Sequence, residues 1–158
     1  MSDKLQRTLI ILKPDAIHRG IVGEIIDRFE QKGIKIVGMK MAKLSDLLLD
    51  KHYAQHKGKH FFEPTKKYMQ MLPVVLVVLE GLEVVRVVRT MCGPTDGRNA
   101  PPGTIRGDYS GAISRNIIHA SEDEKAAYRE IKLYFKTTEI FGYDKPDAHF
   151  YYDVERGE

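Results

Sequence analysis

Apolar residues recur along this chain in two rhythms, and the alternation between them lays out a succession of strands and helices. Arg7 to Lys13 (RTLIILK) is a short apolar run of the buried-strand kind, and Pro14 ends it because proline withholds a backbone donor. Ile21, Ile25, Ile26 and Phe29 then recur at helical spacing, with Gly33 fitting the stop. Ile34 to Met41 alternates as a strand, placing Ile34, Ile36 and Met39 on one side and Lys35 and Lys40 outward. Ser45 opens a helix running through about Gln55, and Gly58 separates it from a shorter one, Phe61 to Met71. Pro73 introduces VVLVVL, Val74 to Leu79, the clearest strand in the sequence. The next stretch, EVVRVVRTM, is β-branched and ambiguous by propensity; Arg86 and Arg89 lie three apart, on one face of a helix, and it is read as helix.

Gly93 to Arg115 has no periodicity and is rich in glycine and proline, so it reads as a long loop, and loops of that length are usually functional. Ile117 and Ile118 read as the end of a buried strand. Ser121 followed by Glu124 is a capping-box signature for the helix Glu122 to Phe135. The order is β-α-β-(α-α)-β-α-β-α. Without the accessory helices it reduces to an α+β, ferredoxin-like βαββαβ core, a four-stranded antiparallel sheet covered by helices. The 158 residues suit one domain, with a core over about 7–135, the loop over about 93–115 and an extension over 137–158. That extension carries Phe141, Tyr143, Phe150, Tyr151 and Tyr152, expected to pack on the body or on a neighbouring subunit.

Charged residues of both signs are abundant and the net charge is only +3, which argues against a polyanion-wrapping surface and leaves room for a small anionic ligand. Cys92 is the only cysteine. It excludes an internal disulfide and a cysteine-based zinc cluster, fits a reducing compartment, and reads as a small buried hydrophobe. The apolar run Leu9 to Leu12 is too short for a signal peptide, and Val74 to Leu79 is too short to span a bilayer. These features describe a soluble, cytoplasmic protein without membrane attachment.

His119 sits where a strand is expected to hand over to a helix. Such a junction aims free backbone N–H groups and the positive end of a helix dipole at an anion, and a neutral imidazole there is a candidate phosphoryl acceptor. Its second nitrogen can be held by a carboxylate that fixes the tautomer. Lys13, in the KPD segment Lys13 to Asp15, puts a cation at the end of the first strand. The loop segment GPTDGRNAPPGTIRGD, Gly93 to Asp108, offers glycines for close backbone approach, the hydroxyls of Thr95 and Thr104, and the planar donor fork of Arg106. Arg89 is placed to reach the same anion from its helix end, or else to neutralise the dipole there. His52, His56 and His60 form a four-residue ladder with the spacing of a zinc or nickel site, but Gly58 interrupts it and no HExxH glutamate accompanies it. His18 and His149 read as solvated, and Asp15, Asp108 and Glu24 as structural pairs or caps.

KPDAIHRGIVGEI, HYAQHKGKHFF, PGTIRGDYS and above all NIIHAS, in this order and at these separations, resemble the nucleoside diphosphate kinases over about Thr8 to Phe135. The resemblance implies a ping-pong exchange in which the γ-phosphoryl of a nucleoside triphosphate moves to His119 and then to a nucleoside diphosphate, with little discrimination among bases. It implies that Lys13 contacts the transferred group and the ribose 3′-hydroxyl with Asn116 beside it, and that Arg89, Thr95 and Arg106 hold the phosphates. It further places Tyr53 near the reacting phosphoryl, Phe61 and Ile113 on the two faces of the base, and Ser121 and Glu130 as the groups that orient His119. Mg²⁺ would arrive bridging nucleotide phosphates, not in a protein cage, with Glu122 as a water-mediated contact. The assembly implied is a homo-oligomer, a hexamer or a tetramer, and nucleic acid is not required. Position 60 is His where proline is often found, Pro94 stands beside Thr95, and Gly97 replaces a frequent proline.

Overall fold

The computed structural model describes residues 4–147 and 151. Along the chain run β1 (Leu5–Leu12), α1 (Pro14–His18), α2 (Val22–Gln31), β2 (Lys35–Ala42), α3 (Asp46–His52), α4 (Phe62–Met69), β3 (Val74–Leu82), α5 (Val84–Cys92), α6 (Ile105–Tyr109), β4 (Ile118–Ala120) and α7 (Glu124–Tyr134). The strands form one antiparallel sheet in the order β2-β3-β1-β4, the ferredoxin-like arrangement that the element order predicts.

The two central strands, β1 and β3, are long apolar runs because helices cover both faces. Ile10 and Leu12 pack with Ile25, Phe29, Val84 and Val88 on one side. Leu9 and Ile11 point the other way, into Leu49, Met69 and Tyr134. The same alternation fixes the short edge strand β4. Ile118 and Ala120 join the first face, and His119, paired with Ile11, is left to project toward α3 and α7.

Five local expectations are corrected. In β2 the pairing steps from Ile36↔Leu79 to Gly38↔Val78, so Val37 is an extra residue in a bulge; the alternation shifts and Met39 is 55% exposed instead of sharing the side of Ile36. The first helix is two, α1 and α2, broken at Gly20, where φ is +66°. The helix expected from Ser45 to Gln55 ends at His52, and a 3₁₀ turn follows at Ala54–His56. The long loop contains a 3₁₀ turn at Gly97–Asn99 and the helix α6. Thr104 caps α6, its hydroxyl accepting from the Gly107 N–H at 3.0 Å and donating to Pro101 O at 2.7 Å. The chain here is packed too closely for side chains: a Cβ on Gly97 would lie 2.3 Å from Ser110 O, and one on Gly107 2.0 Å from Pro101 O. Finally, α7 starts at Glu124 with Asp123 as its cap, accepting from the Ala126 N–H at 2.7 Å, so Ser121 is not the capping residue.

The segment after α7 returns to β2. The Phe141 N–H donates to Val37 O at 2.7 Å and the Tyr143 hydroxyl to Ile36 O at 2.6 Å. Phe150 and Tyr152 lie outside the described residues. Among the described residues no helix is long and apolar enough to cross a membrane.

Candidate active site

A cavity of about 590 Å³ opens between α3, α4, the segment after α5 and the exposed side of β4. Lys13, Tyr53, Phe61, Arg89, Thr95, Arg106, Ile113, Asn116, His119, Glu122 and Glu130 all line it. Of the residues singled out by sequence for the phosphoryl site, Ser121 and Thr104 do not line it: Ser121 is buried behind the wall, and the Thr104 hydroxyl is taken up in capping α6.

His119 is held from behind. Its Nε2 lies 2.9 Å from Glu130 Oε2, and the Ser121 hydroxyl donates to the same oxygen at 2.6 Å. Burial alone would raise the Glu130 carboxyl, but the His119 hydrogen bond and charge, with help from His52 and Ser121, bring it down to about 2. A carboxylate at Nε2 fixes the proton on that nitrogen and leaves Nδ1 as the ring's free lone pair. Ser121 is fully buried next to Leu9, where a hydroxyl needs partners, and this draws it into the Glu130 pair and away from a helix cap.

The helix dipole expected at His119 is not there. β4 runs antiparallel to β1, Ser121 to Asp123 carry the chain onward, and α7 begins where Glu124 meets Lys4 and Gln6, at the opposite end of β1 from Lys13. The helix then folds back, so that His119 faces Glu130 in its second turn. Positive charge comes from side chains instead. Burial, then the neighbouring Arg106, lowers the Lys13 ammonium to about 8, and its Nζ donates to Asn116 Oδ1 at 2.6 Å. Asn116 passes the connection on by donating to Thr95 O at 2.9 Å. Arg106 is first a structural residue: it donates to Gly93 O at 2.7 Å, Ile118 O at 2.6 Å and Asn116 O at 3.4 Å. Burial lowers its pKa. Arg89 is exposed at the rim, and its side chain has no hydrogen-bond partner among the described residues.

Just ahead of β4 the backbone is strained. The Ile118 N–H donates to Asn116 O at 2.7 Å, closing a γ-turn on Ile117, whose φ is +73°. For a β-branched residue such a conformation costs on the order of 1–3 kcal/mol and persists only where its surroundings hold it.

The proposed histidine ladder is dispersed. α3 ends at His52, which turns inward, 2% exposed, with its ring 4.6 Å from that of His119 and nearly perpendicular to it. His56 and His60 instead flank Phe61 at 5.3 and 5.4 Å. His52, His119 and Glu130 are the described residues whose donor atoms, all within 4.8 Å of one another, could hold a metal ion. A metal there would displace the bond that fixes His119. The contact of His52 with His119 went unseen in the sequence, where its four-residue spacing pointed toward His56; its place in the last turn of α3, beside Tyr53, was the available signal.

Comparison with known proteins agrees with this geometry. The family model for nucleoside diphosphate kinase matches residues 6–140. The nucleoside diphosphate kinase of Thermococcus kodakarensis is 52% identical, covering 100% of this chain and 93% of its own, and that of Pyrococcus furiosus is 51% identical over 99% of each. Among solved structures, a halophilic nucleoside diphosphate kinase from Halobacterium salinarum in complex with CDP superposes with a TM-score of 0.91 at 40% identity, covering 96% of this chain and 99% of that one. A transition-state mimic of the Borrelia burgdorferi nucleoside diphosphate kinase, with bound vanadate and ADP, gives 0.87 at 39% identity over 95% and 99%. With a family match over most of its length and relatives at half identity end to end, the chain belongs to the nucleoside diphosphate kinase family and is a phosphotransferase.

Proposed function

We propose that the enzyme moves the γ-phosphoryl group of a nucleoside triphosphate to a nucleoside diphosphate in two half-reactions, with His119 as the temporary carrier. The observation that carries this reading is the 2.9 Å contact between His119 Nε2 and Glu130, which commits the far nitrogen and leaves Nδ1 as nucleophile. In the first half-reaction Nδ1 attacks the γ-phosphorus. An N–P bond forms as the P–O bond to the β-phosphate breaks, and the nucleoside diphosphate departs with that electron pair. Glu130 stabilises the charge that develops on the ring. In the second half-reaction a terminal oxygen of another nucleoside diphosphate attacks the same phosphorus, the N–P bond breaks and the ring recovers its lone pair.

Phosphoryl transfer asks the protein mainly for position and positive charge. Lys13, Arg89 and Arg106 supply three cations, and Thr95 a hydroxyl, toward the phosphates. Lys13 and Asn116 serve the ribose, Tyr53 approaches the reacting group, and Ser121 with Glu130 orients His119. Phe61 and Ile113, 39% and 54% exposed, stand at the mouth as the two faces of a base slot. Stacking reads a π-face that every base has, which supports broad specificity. The CDP and the ADP with vanadate on the two structural relatives support nucleotides as the occupants.

Glu122 and Glu130 are the carboxylates among the lining residues, and Glu130 is already shared by His119 and Ser121. One remaining carboxylate fits Mg²⁺ that arrives on the phosphates with its own waters. Glu122 would hold it through water, and the ion, when bound, neutralises phosphate charge. The edge strand β2 exposes Met39 and Met41, which supports burial against a second copy and hence a homo-oligomer, hexamer or tetramer. A single buried free thiol, Cys92, is in keeping with a cytoplasmic enzyme, and 1–158 is read as one catalytic unit.

The test is incubation with γ-labelled ATP and Mg²⁺ followed by a GDP chase. The expected result is acid-labile, base-stable label on the protein that GDP removes and that His119→Ala never acquires. Label retained by His119→Ala would overturn the assignment.

A further inference from the structure

We propose that Asp15 is a positioning residue for the phosphotransfer, holding the strained turn that sets Asn116 and His119 in place; the proposal rests on the function proposed above. The carboxylate stands in the first turn of α1, between the Lys13 side of the cavity and the γ-turn. Its Oδ2 accepts the Ile117 N–H at 3.0 Å. On the other side of the same residue, Ile117 O accepts the Lys13 N–H at 2.8 Å. The residue with φ of +73° is therefore gripped at both of its polar groups by the KPD segment, one hundred residues earlier in the chain.

What lies on either side of the grip makes it functional. One residue before it, Asn116 meets Lys13 Nζ at 2.6 Å; two residues after it, His119 meets Glu130. The Asn116 and Ile118 carbonyls are held by Arg106. Lys13 and Arg106 thus both anchor the short backbone segment that carries Asn116 and His119, and Ile117, which is buried, is its one residue outside the preferred backbone regions. Without an acceptor at Asp15, the Ile117 N–H loses its partner in a buried place, and the turn relaxes toward ordinary backbone angles. The nucleophile and the ribose contact then move relative to the cations. Displacements of about 1 Å in a near-attack arrangement cost roughly 10²-fold in rate.

The hydrogen bond requires an acceptor but no charge, which gives the test. Asp15→Ala and Asp15→Asn are compared with wild type for the rate of His119 phosphorylation by γ-labelled ATP in single turnover, for ADP affinity, and for thermal unfolding. Asn keeps an acceptor oxygen in place. The expectation is a loss of roughly 10²-fold in the phosphorylation rate for Asp15→Ala, with ADP affinity changed less than about threefold, and recovery to within about tenfold of wild type in Asp15→Asn. A wild-type rate in Asp15→Ala overturns the proposal. So does an Asp15→Asn as slow as Asp15→Ala while still folded, because the carboxylate would then act through its charge. Wild-type labelling at His119 in the same experiment separates a failure here from a failure of the proposed reaction.

Discussion

His52 makes the stability of this enzyme sensitive to acid in a window that can be named. The ring is 2% exposed, and its Nδ1 is a buried atom without a hydrogen-bond partner among the described residues. Burial first, and then the neighbouring His119, pull its pKa from 6.5 down to about 3; Lys13 and Arg129 act in the same direction and Glu130 against it. The sign follows directly. Between pH 6.5 and 3 the unfolded chain binds a proton that the folded chain refuses, so the contribution is intact above 6.5 and is lost as pH falls through that window. Each pH unit inside it removes about 1.4 kcal/mol. Lowering the pH from 6.5 to 5 should therefore remove about 2 kcal/mol through this one residue, a sizeable part of a typical total stability of about 5–15 kcal/mol. Urea unfolding of wild type and His52→Gln at pH 7.5 and 5.0 measures it. Glutamine does not titrate, and every other group is common to both chains, so the wild type should lose about 2 kcal/mol more than the variant over that interval. The substitution itself lowers stability at both pH values, which does not affect the difference. Parallel losses would refute the reasoning and show that the folded protein accepts the proton on His52.

Two further substitutions probe the cavity. Arg106→Ala should lower the transfer rate by about 10²-fold or more, by removing a cation from the phosphates, and destabilise the fold by about 1–3 kcal/mol by releasing three backbone carbonyls; single-turnover phosphorylation and thermal unfolding report the two, and wild-type turnover would remove Arg106 from the site. Phe61→Ala should weaken binding by about 1–3 kcal/mol, and to the same extent for adenine, guanine and cytosine nucleotides, while leaving stability nearly unchanged because the ring is 39% exposed. A marked preference for one base in either protein would contradict recognition by stacking.

What could be read from the sequence follows the range of the interactions involved. β1 and β3 are plain because five consecutive residues in the one and eight in the other repeat one instruction, burial on both faces, and α5 forms despite its valines because Val84, Val85, Val88 and Cys92 bury one side. The β2 bulge was illegible for the opposite reason. Counting alternate residues assumes one residue per rung, and only the pairing of Ile36 and Gly38 with successive residues of β3 reveals that Val37 has no rung. The S-x-x-E pattern at Ser121 failed because capping is a local preference of about 1 kcal/mol. A fully buried hydroxyl beside Glu130 answers to a stronger requirement, and Asp123, two residues on, was free to cap.

The site was legible as a set of residues and not as an electrostatic arrangement. The matching motifs name Lys13, Arg106, Asn116 and His119, and Arg89 stands at the end of the helix before the loop, yet nothing in their spacing tells that the dipole of α7 points away or that Arg106 spends donors on three carbonyls. Those facts change what attracts an anion. The potential at the proposed nucleophile rests on desolvated side chains: Lys13 is buried beside Arg106, whose charge adds to burial in lowering the ammonium, and Arg106 is itself lowered by burial, with Arg89 acting in the same direction. Under the proposed transfer, a phosphate entering between them would offset that repulsion as well as meet two donors, concentrating binding energy where the transferred group sits. The strained turn at Ile117 then acquires a reason. It stands between Asn116, which meets Lys13, and His119, which meets Glu130, and all four side chains line the same cavity.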